Sequence, residues 1–151
     1  MYAAPSGSVL VADLQGARHG HWGEVLAIAA QQRSLAGLVI HGGRRDVAEL
    51  AALDFSVFAR HVTVVGIGKL HTGAFAVPIR VAGATVEPGD LVVGDADGVV
   101  VIPAADVAGT LESADVRVTA EERALDALRA GATTLDLYGL PGEAKCAEAD
   151  G

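Results

Sequence analysis

Short apolar runs separated by turn residues organise this chain. Ser8–Ala12 (SVLVA) reads as a buried strand. Gly16–Gly23 follows as a loop rich in glycine and histidine, with Trp22 near its end. From Glu24 to Arg33 the apolar positions Val25, Leu26, Ile28 and Ala29 fall at helical spacing. Ala36–His41 reads as a second strand, Gly42-Gly43 breaks it, and Asp46–Leu53 reads as a short helix. Strand, helix, strand, helix predicts a βαβ unit with parallel strands.

After Phe55 the pattern changes to short β runs. Val57–Phe58, Val62–Val65, Val77–Val81, Leu91–Val93 and Gly98–Ile102 read as strands. Gly66-Ile67-Gly68, Glu87-Pro88-Gly89-Asp90 and Asp95-Ala96-Asp97-Gly98 are the turns between them. Pro103 then opens a helical stretch, residues 104–130, which Gly131 ends. Tyr138-Gly139-Leu140-Pro141 closes one domain of residues 1–140, and residues 141–151 read as a flexible tail.

Composition adds three constraints. Apolar residues make up 51% of the chain and aromatics only 4%, so the core must be built from Val, Ala, Leu and Ile. The mean hydropathy of +0.39 is high, yet every apolar run is strand-sized, so no membrane partner is expected. Subunit interfaces account for the excess better. A net charge of −8 supplies no Lys/Arg excess for a general nucleic-acid binder, but a small anion needs only one local Arg and some backbone N–H groups. The single cysteine, Cys146, allows no intrachain disulfide and lies in an acidic tail, the wrong setting for an activated thiol. The opening residues lack a basic segment followed by an apolar one, so a cytoplasmic protein is expected.

The candidate chemistry lies at two helix starts. Glu24 follows Gly23; after twenty intervening residues come Arg45-Asp46, with Glu49 three residues beyond. Both follow predicted strands, and open α/β sheets keep their ligands at such strand ends. The two loops would bring carboxylates and a guanidinium together, a set able to hold a divalent cation and an anionic substrate. Each acid also has a plain structural role. Asp46-Val47-Ala48-Glu49 fits a capping box, and Glu24 fits a first-turn acid favoured by the helix dipole. At the same start the N–H groups of Val25 and Leu26 can hold a carboxylate. Gly66-Ile67-Gly68-Lys69 lacks the phosphate-loop pattern, and Asp95–Gly98 lacks most calcium-loop positions and reads as a hairpin turn. The five histidines show no zinc spacing; His19, His21 and His71 are candidates to line a site but read better as loop surface.

Several segments together resemble one family, the class II 4-hydroxy-4-methyl-2-oxoglutarate/4-carboxy-4-hydroxy-2-oxoadipate aldolases and the related regulators of ribonuclease activity A. They are Ser8–Asp13 (SVLVAD), Gly23-Glu24 before a helix, Gly37–Asp46 (GLVIHGGRRD), Val57–Arg60 (VFAR), Val86–Asp90 (VEPGD) and Asp95–Pro103 (DADGVVVIP). The family usually has Asp where this chain has Glu24, one methylene longer. Its members usually carry a further helix and strands ahead of the strand at Ser8, expected to contribute to the sheet, whereas Met1 lies almost directly on that strand. The intact Arg45-Asp46 pair and the Leu135–Gly139 ending resemble the aldolase branch more than the regulators.

The resemblance implies a fold and a chemistry. The fold is a layered α/β/β sandwich of the swivelling-domain type with a C-terminal helix, assembled as homotrimers or hexamers with sites at subunit interfaces. The activity is divalent-metal-dependent cleavage of a 4-hydroxy-2-oxo acid to pyruvate, with oxaloacetate decarboxylation beside it. Asp46 would bind Mg²⁺ or Mn²⁺, Arg45 would pair with substrate oxygens, Val25 and Leu26 N–H groups would hold the pyruvyl carboxylate, and Glu24, through a metal-bound water, would take the proton of the 4-hydroxyl. An acid of a neighbouring subunit's C-terminal helix, Glu121 or Glu122, is a candidate to complete the site, although each reads better as solvent-facing helix charge. The alternative is a non-catalytic regulator that binds a ribonuclease or RNA helicase.

Overall fold

The computed structural model describes residues 1, 3–68 and 73–141. The chain divides into two compact units, Met1–Asp106 and Val107–Gly151. It is a mixed α/β fold with a parallel sheet and a long C-terminal helix.

The first unit is built on four parallel strands: β1 (Val9–Asp13), β2 (Gly20–Trp22), β3 (Gly37–Arg44) and β4 (Ser56–Val62). β3 is central. On one side it pairs with β1 along Gly37–His41 and then with β2 at Gly43 and Arg44; on the other it pairs with β4. Helices α1 (Glu24–Gln31) and α2 (Val47–Ala52) supply the crossovers. The core is as aliphatic as the composition demands. Leu38 and Ile40 point to one face of β3 by strand alternation and pack with Ala27 and Ala30 of α1, Leu50 of α2, and Trp22. Trp22 stacks on Phe55 at 6.2 Å between ring centres.

Two expectations change here. Gly42-Gly43 does not end the second strand, because β3 runs on to Arg44. The glycines instead admit close neighbours: a Cβ on Gly42 would meet Leu14 Cδ1 at 2.9 Å, and one on Gly43 would strike the His19 carbonyl. Gly20–Trp22, expected as loop, is strand β2, recruited by the open edge of β3 beyond the end of β1.

Two hairpins follow. β5 (Ile79–Val81) pairs with β6 (Ala84–Val86) through Ala82-Gly83, both at positive φ as a tight hairpin turn requires. β7 (Leu91–Gly94) pairs with β8 (Val99–Ile102). Asp95 closes this turn by accepting from the Asp97 and Gly98 amides at 2.8 and 3.2 Å, the hairpin role expected of Asp95–Gly98. Val62–Val65, expected as a separate strand, is the end of β4 plus irregular chain.

In the second unit, α3 (Val107–Arg129) follows a 3-10 turn at Ala104–Asp106. Gly131 ends it at φ 100°. A short α4 (Thr134–Tyr138) is opened by a reciprocal cap: Thr133 accepts from the Asp136 amide while the Asp136 carboxylate accepts from the Thr133 amide. The Thr133 hydroxyl, which donates to the same carboxylate at 2.6 Å, and after it the Thr133 amide hold the Asp136 carboxyl below its ordinary pKa. No helix among the described residues is long and apolar enough to cross a membrane. Lys69, His71 and Cys146 lie outside the described residues.

Candidate active site

Asp46 is placed by an unusual backbone. β3 hands the chain to Arg45, whose amide donates to the Trp22 carbonyl at 2.8 Å, and Asp46 then takes a left-handed conformation, φ 55° and ψ 48°. Among L-residues other than glycine, Asp and Asn adopt that region most readily. The Asp46 carbonyl still starts α2, accepting from Leu50 N–H at 2.9 Å. Its side chain does not cap that helix, because a capping oxygen needs an extended backbone at this position. The capping box over Asp46–Glu49 is therefore not formed, and Glu49 is exposed on α2.

The Asp46 carboxylate instead turns to the other helix. Oδ2 accepts from the Glu24 amide at 3.0 Å, across a separation of 22 residues. Arg45 Nε lies 3.5 Å from the same oxygen. Gly23 makes room: a Cβ there would collide with Asp46 Oδ2 and sit 3.0 Å from Arg45 Cγ and Nε. Gly23, Glu24, Arg45 and Asp46 thus meet where the sheet ends. The next amides of α1, those of Val25 and Leu26, have no intrahelical carbonyl to bond and are free to meet an anion.

Arg45 borders two clefts. One, of about 650 Å³, is lined by Arg45, Asp46, Val47, Val62, Thr63 and Val64. The other, of about 480 Å³, has His21, Gly23, Val25, Leu26 and Arg45 on its walls, with Leu14 and Ile67 among its apolar lining. Asp46 Oδ1 has no bond to another described residue, and the described residues hold no group of three or more His, Cys, Asp or Glu able to cage a metal. One free carboxylate oxygen beside open cleft volume fits a hard cation that keeps most of its waters, as Mg²⁺ does, and does not fit a structural zinc.

Of the paired arginines, only Arg45 faces the clefts. Arg44 Nη1 donates to the Val57 carbonyl at 2.9 Å and secures β4. His21, expected on a loop surface, is on β2 and lines the second cleft. The alternation Gly20-His21-Trp22 carried that signal: with Trp22 in the core, His21 must face the other way.

Sequence reasoning also missed a second polar group. Asp13 and His41 are register partners across β1 and β3. His41 Nδ1–H donates to Asp13 Oδ1 at 2.9 Å, and Arg60 Nη1 donates to His41 Nε2 at 2.8 Å. A guanidinium has no lone pair, so in this contact the acceptor is His41 Nε2. The Gln15 amide, and after it His41, hold the Asp13 carboxyl below its ordinary pKa. On α3, Glu121 pairs with Arg117 of the same helix at 2.8 Å.

Comparison with known proteins follows the same lines. Residues 1–101 match the family described as RraA-like, Aldolase/RraA. A relative from Halalkalibacterium halodurans named "Putative 4-hydroxy-4-methyl-2-oxoglutarate aldolase" is 37% identical over 123 residues, which is 81% of this chain and 59% of the relative. The chain thus spans under two thirds of that relative's length. An uncharacterized protein from Pseudomonas syringae pv. tomato superposes with a TM-score of 0.85 at 28% identity, over 91% of this chain and 70% of that one. The "RNA-processing inhibitor RraA" from Thermus thermophilis gives a TM-score of 0.62 at 34% identity, over 66% of this chain and 61% of that one. The shared sequence covers the parallel sheet and both helix starts that carry Glu24 and Asp46, and the chain belongs to the RraA-like aldolase family.

Proposed function

We propose that this chain is a divalent-metal-dependent lyase that cleaves 4-hydroxy-4-methyl-2-oxoglutarate or a related 4-hydroxy-2-oxo acid to pyruvate and also decarboxylates oxaloacetate. The observation that carries this is the Asp46 carboxylate, turned away from its own helix and onto the Glu24 amide beside Arg45. A residue serving only as a cap would not need a left-handed backbone and a glycine cradle to leave its own helix.

Asp46 would hold Mg²⁺ or Mn²⁺ through its free oxygen, and the bound cation supplies positive charge beside the keto oxygen as the carbon–carbon bond breaks. The chain's own groups do the rest. Amides of Val25 and Leu26 receive the pyruvyl carboxylate at the positive end of α1. Arg45 donates to substrate oxygens, which a fixed guanidinium fork does with defined geometry. Glu24 takes the proton of the 4-hydroxyl; the C4–O bond becomes a carbonyl, the C3–C4 pair moves to the pyruvate half, and a proton returns to C3. A homotrimer or hexamer would cover Leu111, Val116, Val118 and Leu125, which α3 leaves exposed in the single chain, and could bring a neighbour's Glu121 or Glu122 to the site.

The test is pyruvate release from oxaloacetate and from 4-hydroxy-4-methyl-2-oxoglutarate, followed through lactate dehydrogenase. Wild type with Mg²⁺ or Mn²⁺ is expected to turn over both, and chelator or Asp46→Ala to stop it. If wild type and Asp46→Ala are equally inert with either metal, the lyase reading fails. The second reading, a regulator that binds a ribonuclease or helicase, draws on the likeness to the Thermus inhibitor. It predicts partner binding that is indifferent to metal and to Asp46→Ala.

A further inference from the structure

We infer that His21 selects dicarboxylic over monocarboxylic 2-oxo acids by pairing with the distal carboxylate in the cleft it shares with Arg45 and the first turn of α1. This deepens the proposed lyase reading and rests on it for the placement of the pyruvyl end.

Three observations carry it. His21 lines the cleft of about 480 Å³ together with Val25, Leu26 and Arg45, so one bound molecule can touch all four. Apart from Arg45 and His21, the described lining residues are glycines and aliphatics, so among the described residues of this cleft His21 is the side chain besides Arg45 able to carry positive charge. Its ring is also held in place. Nδ1 bonds the His19 carbonyl at 2.8 Å, which requires a proton on Nδ1, and the His19 ring stands edge-on to it at 6.2 Å. With Nδ1 committed, Nε2 is the nitrogen left for a ligand.

The chemistry then sets a pH dependence. In the neutral ring Nε2 carries a lone pair, and two acceptors cannot bond. A carboxylate at Nε2 therefore binds the imidazolium, in which both nitrogens donate. Arg45 on the cleft wall and the titratable His19 ring are the groups beside it; no carboxylate is among the described residues lining this cleft. A second anionic group on the ligand supplies the missing partner. A monocarboxylate occupies the amide end alone and gives His21 nothing to pair with.

The experiment compares calorimetric binding of 2-oxoglutarate and 2-oxobutyrate, with Mg²⁺ present and ionic strength constant, at pH 6 and pH 8. The two share the 2-oxo acid end and differ in the distal carboxylate. Wild type is expected to prefer 2-oxoglutarate by about ten-fold or more at pH 6, the scale of one charge-assisted bond, and to lose most of that preference at pH 8. His21→Gln should show little preference at either pH, and His21→Arg should keep the preference at both. Equal binding of the two ligands by wild type, a preference unchanged in His21→Gln, or one independent of pH would each overturn the role of His21 while leaving the lyase reading intact. If neither ligand binds, the role of His21 fails, while the lyase reading stands or falls on pyruvate release.

Discussion

Replacing Asp46 with Asn separates a structural role for this residue from a chemical one. Asn tolerates the left-handed backbone, φ 55°, and keeps an oxygen to accept the Glu24 amide at 3.0 Å. What is lost is charge. A charge-assisted bond to an amide contributes about 1.5–3 kcal/mol and a neutral one about 0.5–1.5, a difference of about 1 kcal/mol. The Arg45 contact at 3.5 Å joins groups that are 46% and 34% exposed, so solvent screening leaves it at most about 1 kcal/mol. Asp46→Asn should therefore cost about 1–2 kcal/mol in urea unfolding, with an unchanged m-value. Pyruvate release with Mg²⁺ should fall by about a hundred-fold or more, the scale on which removing one charge-stabilising group acts. Glu49→Ala should change stability by less than about 0.5 kcal/mol, since Glu49 makes no cap bond; a formed capping box would have made it cost about 1 kcal/mol. If Asp46→Asn lost more than about 3 kcal/mol, or stayed within ten-fold of wild-type turnover, the assignment of Asp46 to the chemistry would be wrong.

Three further outcomes follow from the same structure. Gly23→Ala places a methyl against Asp46 Oδ2 and Arg45 Nε, and should lower turnover more than stability, measured side by side by the coupled assay and by urea unfolding. Asp13→Asn tests the acid limb of stability. The Asp13 pKa is lowered in the fold, chiefly by the Gln15 amide and then by His41, so its contribution is present above the ordinary carboxylate range and is lost as pH falls through the folded value. The urea midpoint of wild type should thus drop more between pH 6 and pH 3 than that of Asp13→Asn, and equal drops would refute this. Leu38→Ala, at a side chain 1% exposed between sheet and helix, should cost about 2–5 kcal/mol in denaturant unfolding, and a loss under about 1 kcal/mol would show that the core lies elsewhere.

Local pattern made much of the fold legible. SVLVA and the run from Gly37 are apolar enough to read as buried strands, and the spacing of Val25, Leu26, Ile28 and Ala29 gave α1 before any tertiary information. Asp95–Gly98 read as a hairpin turn because its chemistry is local: one carboxylate bonds amides two and three residues on. The misses share a cause. β2 has three residues, too short a run for its alternation to read as a strand, and it is a strand only because β3 offers it an edge. Gly42-Gly43 looked like a break because glycine weakens strands. Its reason, the close approach of Leu14 and of the His19 carbonyl, comes from residues over twenty positions away.

The candidate site divides the same way. The sequence by itself determined the residue types, their spacing and the helix starts: Glu24 after Gly23, and Arg45-Asp46 after a buried strand. It left Asp46 with two uses, cap or ligand, because both need the same carboxylate at the same helix start. Only the tertiary structure decided between them as regards the cap, since the φ of Asp46 and its bond to an amide 22 residues away depend on how two loops pack. It also brought His21 to the cleft and Asp13, His41 and Arg60 into contact. Such contacts depend on strand register and the edges of β3, quantities that no local run of residues contains.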